Sequence, residues 1–299
     1  MSNALDWLLE DENPAIQYRT MVELCDKPID ECQEVYENIW KQKPIVKLLS
    51  KQDENGIWPL KDIRDITSIQ HLTVFAEYGL LKDYRLDRYA DFIINLIKTW
   101  KNDTIDVFTC YAPMALRALV MMGYNDKDDV VALINDFSKT QNDDGGFMCK
   151  RMLDKKPNRK SCYKAAVSGL LLYAECKRKN ILLDNTDSLV NYFVKRDVFY
   201  STDKTHMFID SQGVPKGFPP ILMKIGVPLF VSALSILGAG NNPGLKKAWD
   251  MMNMNKSECG RFVQEGAAAQ PGFFGKDRHE SKWSTFYALL AEKHIAEFS

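Results

Sequence analysis

Gln52-Asp53-Glu54-Asn55-Gly56-Ile57-Trp58 and Gln141-Asn142-Asp143-Asp144-Gly145-Gly146-Phe147 share one spacing: glutamine, three residues, glycine, one residue, aromatic ring. Lys256-Ser257-Glu258-Cys259-Gly260-Arg261-Phe262 is a weaker third copy with lysine in the glutamine place. A unit that recurs in this way marks a fold built from repeated supersecondary pieces. The residue types predict its local physics. Glutamine supplies polar atoms for backbone groups left free at a helix end. Glycine takes the positive φ of a tight turn. The ring packs between the flanking helices.

Working outward from these turns, apolar residues recur at three- and four-residue spacing almost everywhere, and alternating strand-like runs are scarce. Two kinds of helix are predicted. Residues 14–25, 69–80, 110–122, 162–176, 227–237 and 282–294 are small, apolar and nearly uncharged in their middles. Residues 31–50, 86–99, 128–140, 188–194 and 244–254 are amphipathic and charged. The two kinds alternate strictly, and each turn motif follows one of the second kind and precedes one of the first. A helix apolar on most faces must be buried, whereas a one-sided helix can face water. An inner layer wrapped by an outer layer follows. Asn13-Pro14 and Asn242-Pro243 predict helix starts, and Gly123, Gly238 and Gly240 predict inner-helix ends. No linker rich in Gly, Ser or Pro divides residues 1–299, so a single all-α domain is expected.

Composition sets the outer bounds. Hydrophobic residues make up 45% of the 299 and the net charge is −1, which supplies a large core and no global attraction to nucleic acid or anionic membrane. The longest apolar stretch, 226–240, is too short for a membrane span and contains Pro228. Residues 1–12 are acidic and lack the basic start of a signal peptide. Seven scattered cysteines form no disulfide-scaffold spacing, so reduced thiols and a cytoplasmic setting are expected.

The turn motifs resemble the glutamine–tryptophan repeats of the squalene cyclase and protein prenyltransferase superfamily. The resemblance runs from Asn13-Pro14-Ala15-Ile16-Gln17-Tyr18-Arg19 to Ser281-Lys282-Trp283-Ser284-Thr285-Phe286-Tyr287-Ala288-Leu289-Leu290, and is nearest to short single-domain bacterial members. It implies an (α/α)6 toroid whose inner-helix N-termini ring the mouth of an apolar pocket, with an isoprenoid-like small molecule as ligand. It does not specify the reaction. Asp144-Gly145-Gly146-Phe147 followed by Ser161-Cys162-Tyr163 is similar to the family's zinc and diphosphate segment. Cys162 matches the zinc cysteine and Tyr163 a diphosphate tyrosine. Lys160 stands at the zinc aspartate position and Ser284 at the zinc histidine position, which argues against a zinc protein prenyltransferase.

Three groups of residues are candidates for chemistry. Cys110, Cys149 and Cys162 sit at or just before inner-helix starts, where three thiols, with His71 or His279, could hold zinc; small buried apolar cysteines are the other reading. Asp126-Lys127-Asp128-Asp129 matches the letters of the cyclase proton-donor motif, but its place at the start of a charged helix equally fits capping and dipole compensation. Lys150, Arg151, Lys155, Lys156, Arg159 and Lys160 fall within eleven residues. Lys155, Lys156 and Arg159, with Tyr163, are the candidate contacts for an anionic head group, against the reading of a solvated loop. Phe75, Tyr78, Tyr111, Tyr163, Phe230, Trp283 and Tyr287 are aromatic residues of inner helices that could line a pocket or fill a core. No phosphate-binding loop, nucleophile elbow or His-Glu-x-x-His motif is present. Two functions stand: a cyclase- or transferase-like enzyme, and a binding protein that kept the scaffold without its catalytic residues.

Overall fold

The computed structural model describes residues 2–62, 66–102, 108–148, 160–208, 226–264, 274–275 and 278–297. Their regular structure is helical, and extended pairing is confined to isolated bridges. Thirteen α-helices are used below: α1 (Ser2–Leu8), α2 (Pro14–Arg19), α3 (Gln33–Trp40), α4 (Lys43–Leu49), α5 (Thr67–Glu77), α6 (Tyr84–Asn102), α7 (Phe108–Met121), α8 (Asp128–Ser138), α9 (Tyr163–Arg178), α10 (Thr186–Val194), α11 (Val227–Ile236), α12 (Lys246–Asn253) and α13 (Lys282–Glu297). No helix among the described residues is long and apolar enough to cross a membrane.

Helices form over the expected ranges, with three differences, one being that 244–254 begins as a 3-10 turn, Pro243–Leu245, before α12. Residues 14–25 begin as α2 and continue as a π-helical turn over Thr20–Leu24. The single helix expected over 31–50 is instead a 3-10 turn, α3 and α4, broken at Lys41 and Gln42. Pro44 accounts for the break. It lacks an N–H and its ring disfavours a helical residue before it, so it is tolerated only in the first turn of a new helix. The caps behave as the residue types require. Asn13 accepts from the Ile16 N–H at 3.4 Å, and Asn242 accepts from the Gly244 N–H at 2.9 Å.

The chain gathers into two compact units, residues 47–192 and residues 1–46 with 193–299. In the first, α7 packs between α5 and α9, with α6 and α8 against its other side. Every residue of 72–78, 112–120 and 165–176 is buried, including the only charged groups there, Glu77, Arg117 and Glu175. Arg117 pairs with Glu77 at 2.6 Å, joining α7 to α5. In the second unit α11 packs along α13, which also meets α2 and α1, and α12 covers α11. Arg19 is 1% exposed, pairs with Glu23 at 2.5 Å, donates to the Tyr287 hydroxyl at 3.1 Å and lies over the Phe286 ring.

The turn motifs are built alike. In the first, Asp53 N–H donates to the Ile57 carbonyl and Gly56 N–H to that of Asp53; in the second, Asn142 donates to Gly146 and Gly145 to Asn142; in the third, Ser257 donates to Arg261 and Gly260 to Ser257. Gly56, Gly145 and Gly260 have φ of 76°, 87° and 78°. The glutamines act inside the turn rather than on the helix end: Gln52 and Gln141 each donate to the carbonyl of their own glycine at 2.8 Å. Lys256 takes a different role, pairing with Glu292 at 3.1 Å over the Phe262 ring.

A fourth copy, unmarked in the sequence, spans 200–207. Tyr200 and Met207 form the bridge, Lys204 N–H donates to Ser201, and Ser201 N–H donates to His206, one residue further on than in the other copies. Lys204 occupies the glycine place with φ of 58°.

Candidate functional site

Helices α5, α7 and α9 of residues 47–192 carry accessible positions in their first turns, and α7 and α9 do so again at their last residues, Met121, Lys177 and Arg178. Gln70 and His71 of α5, Cys110 and Tyr111 of α7, and Cys162 and Lys164 at the start of α9 are half-buried, while the turns that follow are buried throughout.

The start of α9 is fixed by a compact polar knot. Cys162, its N-cap residue, donates its backbone N–H to the Phe147 carbonyl at 2.8 Å. Ser161 donates its N–H to the Asp144 carboxylate at 3.1 Å and its hydroxyl to the same group, and Asn142 donates to the Ser161 hydroxyl at 2.9 Å. Phe147 completes the knot. Its ring stacks on Phe137 with centroids 4.4 Å apart and lies on Gly169 of α9, where a Cβ would meet ring carbons at 2.5 and 2.9 Å. The basic segment therefore begins and ends at one place: the chain leaves at Phe147 and returns at Cys162, and these two residues are hydrogen-bonded to each other.

Cys149, Lys150, Arg151, Lys155, Lys156 and Arg159 lie outside the described residues. Lys160 is exposed and Tyr163 is buried. Cys110 and Cys162 stand on the adjacent helices α7 and α9. Among the described residues no group of three His, Cys, Asp or Glu side chains comes together to hold a metal ion. The donor set of the resembled zinc centre does not fit this chain: Lys160 is a cation and Ser284 is a buried residue whose backbone N–H donates to the Ser281 hydroxyl. His279 is exposed, and its carbonyl accepts from Gln264 at 2.9 Å. Cys32 and Cys176 are fully buried. Burial pushes the Cys176 thiol up to about 12 and raises that of Cys32, which suits inert core residues.

The aromatic candidates pack as core. Phe75 lies 5.6 Å from the Trp58 ring, Phe230 meets Phe193 and Phe199, and Trp283 meets Phe274. Tyr78, Tyr163 and Tyr287 are buried. Tyr111 alone of the seven is half-buried, and burial followed by neighbouring Cys110 raises its phenol.

Asp126, Asp128 and Asp129 lie at the other end of these helices, where α5 and α7 finish. Lys82 N–H donates to the Met122 carbonyl at 2.7 Å there. All three aspartates are exposed. Asp126 is bonded by Lys82, which holds its carboxyl below the usual carboxylate range, and Asp129 pairs with Lys98 at 2.7 Å. Asp126 borders a groove of about 550 Å³ that sequence reading missed, with Asp87, Asp91, Tyr84, Tyr124 and Lys127 along its sides. A legible signal existed: Asp83, Asp87 and Asp91 recur every four residues on one face of α6 and its approach. Each is partnered, Asp83 by Arg85 at 2.6 Å, Asp87 by the Tyr124 hydroxyl at 2.9 Å and Asp91 by Lys127 at 2.5 Å.

No family model, curated protein or solved structure matches the chain.

Proposed function

We propose that this protein is an α/α toroid that binds an elongated apolar, isoprenoid-like molecule, with the ligand's anionic head held where the chain between Phe147 and Cys162 leaves and rejoins the start of α9. The hydrogen bond between those two residues carries the reading. It ties both ends of a segment with six basic residues to the N-terminus of a 16-residue helix. A helix N-terminus presents free N–H groups and positive potential, and lysine and arginine add charge-assisted bonds. The half-buried positions Cys110 and Tyr111 of α7 and Cys162 and Lys164 at the start of α9 would meet the apolar part of the ligand.

Binding without proton-initiated cyclisation is favoured by the carboxylates at the far end. A donor to an alkene must hold its proton in an apolar setting, which raises a carboxyl pKa. Asp126 is exposed, bonded to Lys82 and lowered.

Titration with farnesyl diphosphate, followed by calorimetry, tests the reading. Wild type is expected to bind, and the charge reversal K155E/K156E/R159E to weaken binding by roughly a hundredfold, as for the loss of two or three charge-assisted contacts. Equal affinity in the two proteins would sink it. Elemental analysis of wild type beside C110S/C149S/C162S separates the thiol reading: zinc present in the first and lost in the second supports a metal, and no zinc in either removes it.

A further inference from the structure

Short helix α1 is fastened to the first turn of α13 by a small set of contacts. The Trp7 ring meets two cations, with the Arg261 guanidinium 4.5 Å and the Lys282 ammonium 5.5 Å from its centroid. Lys282, the first residue of α13, also pairs with Glu10 at 3.1 Å. Ala4 faces the turn at 256–262, where a Cβ on Gly260 would stand 3.6 Å from the Ala4 Cβ. Apolar anchoring comes from Ala4 and Leu8, both buried. At the same end of α13 Ser281, Trp283 and Ser284 are buried and Lys282 is half-buried.

A seven-residue helix has little stability of its own, so α1 persists through its docking. Part of that docking is electrostatic. Glu10 is about half exposed, so salt screens its pairing with Lys282. The C-terminal end of α1 is held separately, by the Gln17 side chain donating to the Leu9 carbonyl at 2.9 Å. Loss of the Trp7 and Glu10 contacts would leave α1 held by Ala4, Leu8 and the Gln17 bond to Leu9.

We propose that α1 is a detachable strap across the start of α13, and that its release opens this inner-helix end to ligand; the second half rests on the reading that ligand enters at inner-helix N-termini. The test uses the full chain as wild type, E10K and W7L. Hydrogen exchange is followed in α1, in residues 281–285 and, for reference, in α9 and α11, and farnesyl diphosphate association is followed by stopped flow. E10K is expected to raise exchange in α1 and 281–285 by roughly tenfold and leave α9 and α11 unchanged. About 0.5 M NaCl should do the same to wild type, and the association rate should rise with the exchange. Unchanged exchange in both variants, or a uniform rise across residues 1–46 and 193–299, would overturn the strap. Local exchange with no change in association rate would overturn the gating. Local exchange with no farnesyl diphosphate binding to any of the three proteins would overturn the gating and the ligand reading together while leaving the detachable helix in place.

Discussion

Gly145 and Gly123 have nearly the same backbone conformation, φ of 87° and 90°, and very different surroundings. A Cβ on Gly123 meets nothing within 4 Å, whereas one on Gly145 collides with the Ser188 carbonyl oxygen. Conformational strain alone costs an L-residue about 1–2 kcal/mol in the left-handed region. G123A should therefore lose about 1 kcal/mol in urea unfolding and G145A at least about 3, since backbone must move as well. Equal losses would show that the turn at 141–147 relaxes freely. The Glu77–Arg117 pair belongs to the same scale. Both side chains are nearly inaccessible, so E77Q removes the counter-charge beside a buried guanidinium and should cost about 3 kcal/mol, while E77L/R117M should recover much of it. A double mutant no better than E77Q would mean that the pair itself, not its desolvation, governs the site. The charged residues were plain in the sequence, but their pairing joins positions 40 apart on separate helices, and residue spacing carries no signal for that.

At the scale of elements, the alternation of buried and half-exposed helices was legible because burial on all faces demands a nearly uncharged middle, and α5, α7, α9 and α11 have one, with Arg117 of α7 neutralised by Glu77. Boundaries followed where a cap residue announced them, as at Asn13. The break between α3 and α4 went unread although Pro44 marked it, because the amphipathic period continues across it. The fourth turn was hidden for a different reason: Lys204 replaces the glycine on which the motif depends. Its positive φ is kept while its ammonium pairs with Asp197 at 2.7 Å. Lys204 is 48% exposed in that pair, so the pair is worth little. K204G should thus be neutral or stabilising by up to about 1 kcal/mol, from relief of strain, and K204A should be destabilising because it keeps the strain and loses the pair. Thermal midpoints ranking K204A above K204G would show that the turn is not a member of the repeat. Docking of turn on helix has its own probe in Gly169, invisible as a packing site in sequence. G169A drives a methyl into the Phe147 ring, for a loss of about 1–3 kcal/mol, and F147L in the same chain should return part of it.

Over the whole molecule, titratable groups divide into two classes with opposite signs. Asp83, Asp136 and Asp197 are lowered mainly by bonds from Arg85, Lys101 and Lys204. Their contribution is present above the unfolded carboxylate value, near 4, and is lost as pH falls through the folded values. Tyr18, Tyr78, Tyr173 and Cys176 are raised, chiefly by burial. For these the neutral form is favoured by folding. Nothing is lost below the unfolded pKa, about 8.5 for cysteine and 10 for tyrosine; above it the unfolded chain ionises first and stability falls until the folded pKa is passed. A plateau in thermal midpoint is therefore expected between about pH 5 and pH 8, with an acid limb below and an alkaline limb above. Cys176, pushed up to about 12, and Cys32, also raised by burial, act before the tyrosines. C176V should keep the plateau and the acid limb, and should make the alkaline limb shallower between about pH 8.5 and 10, where Cys32 supplies the remainder before the tyrosines enter. An alkaline limb unchanged in C176V would place its origin elsewhere, and an acid limb altered in C176V would show that the substitution repacked α9 rather than removing a proton.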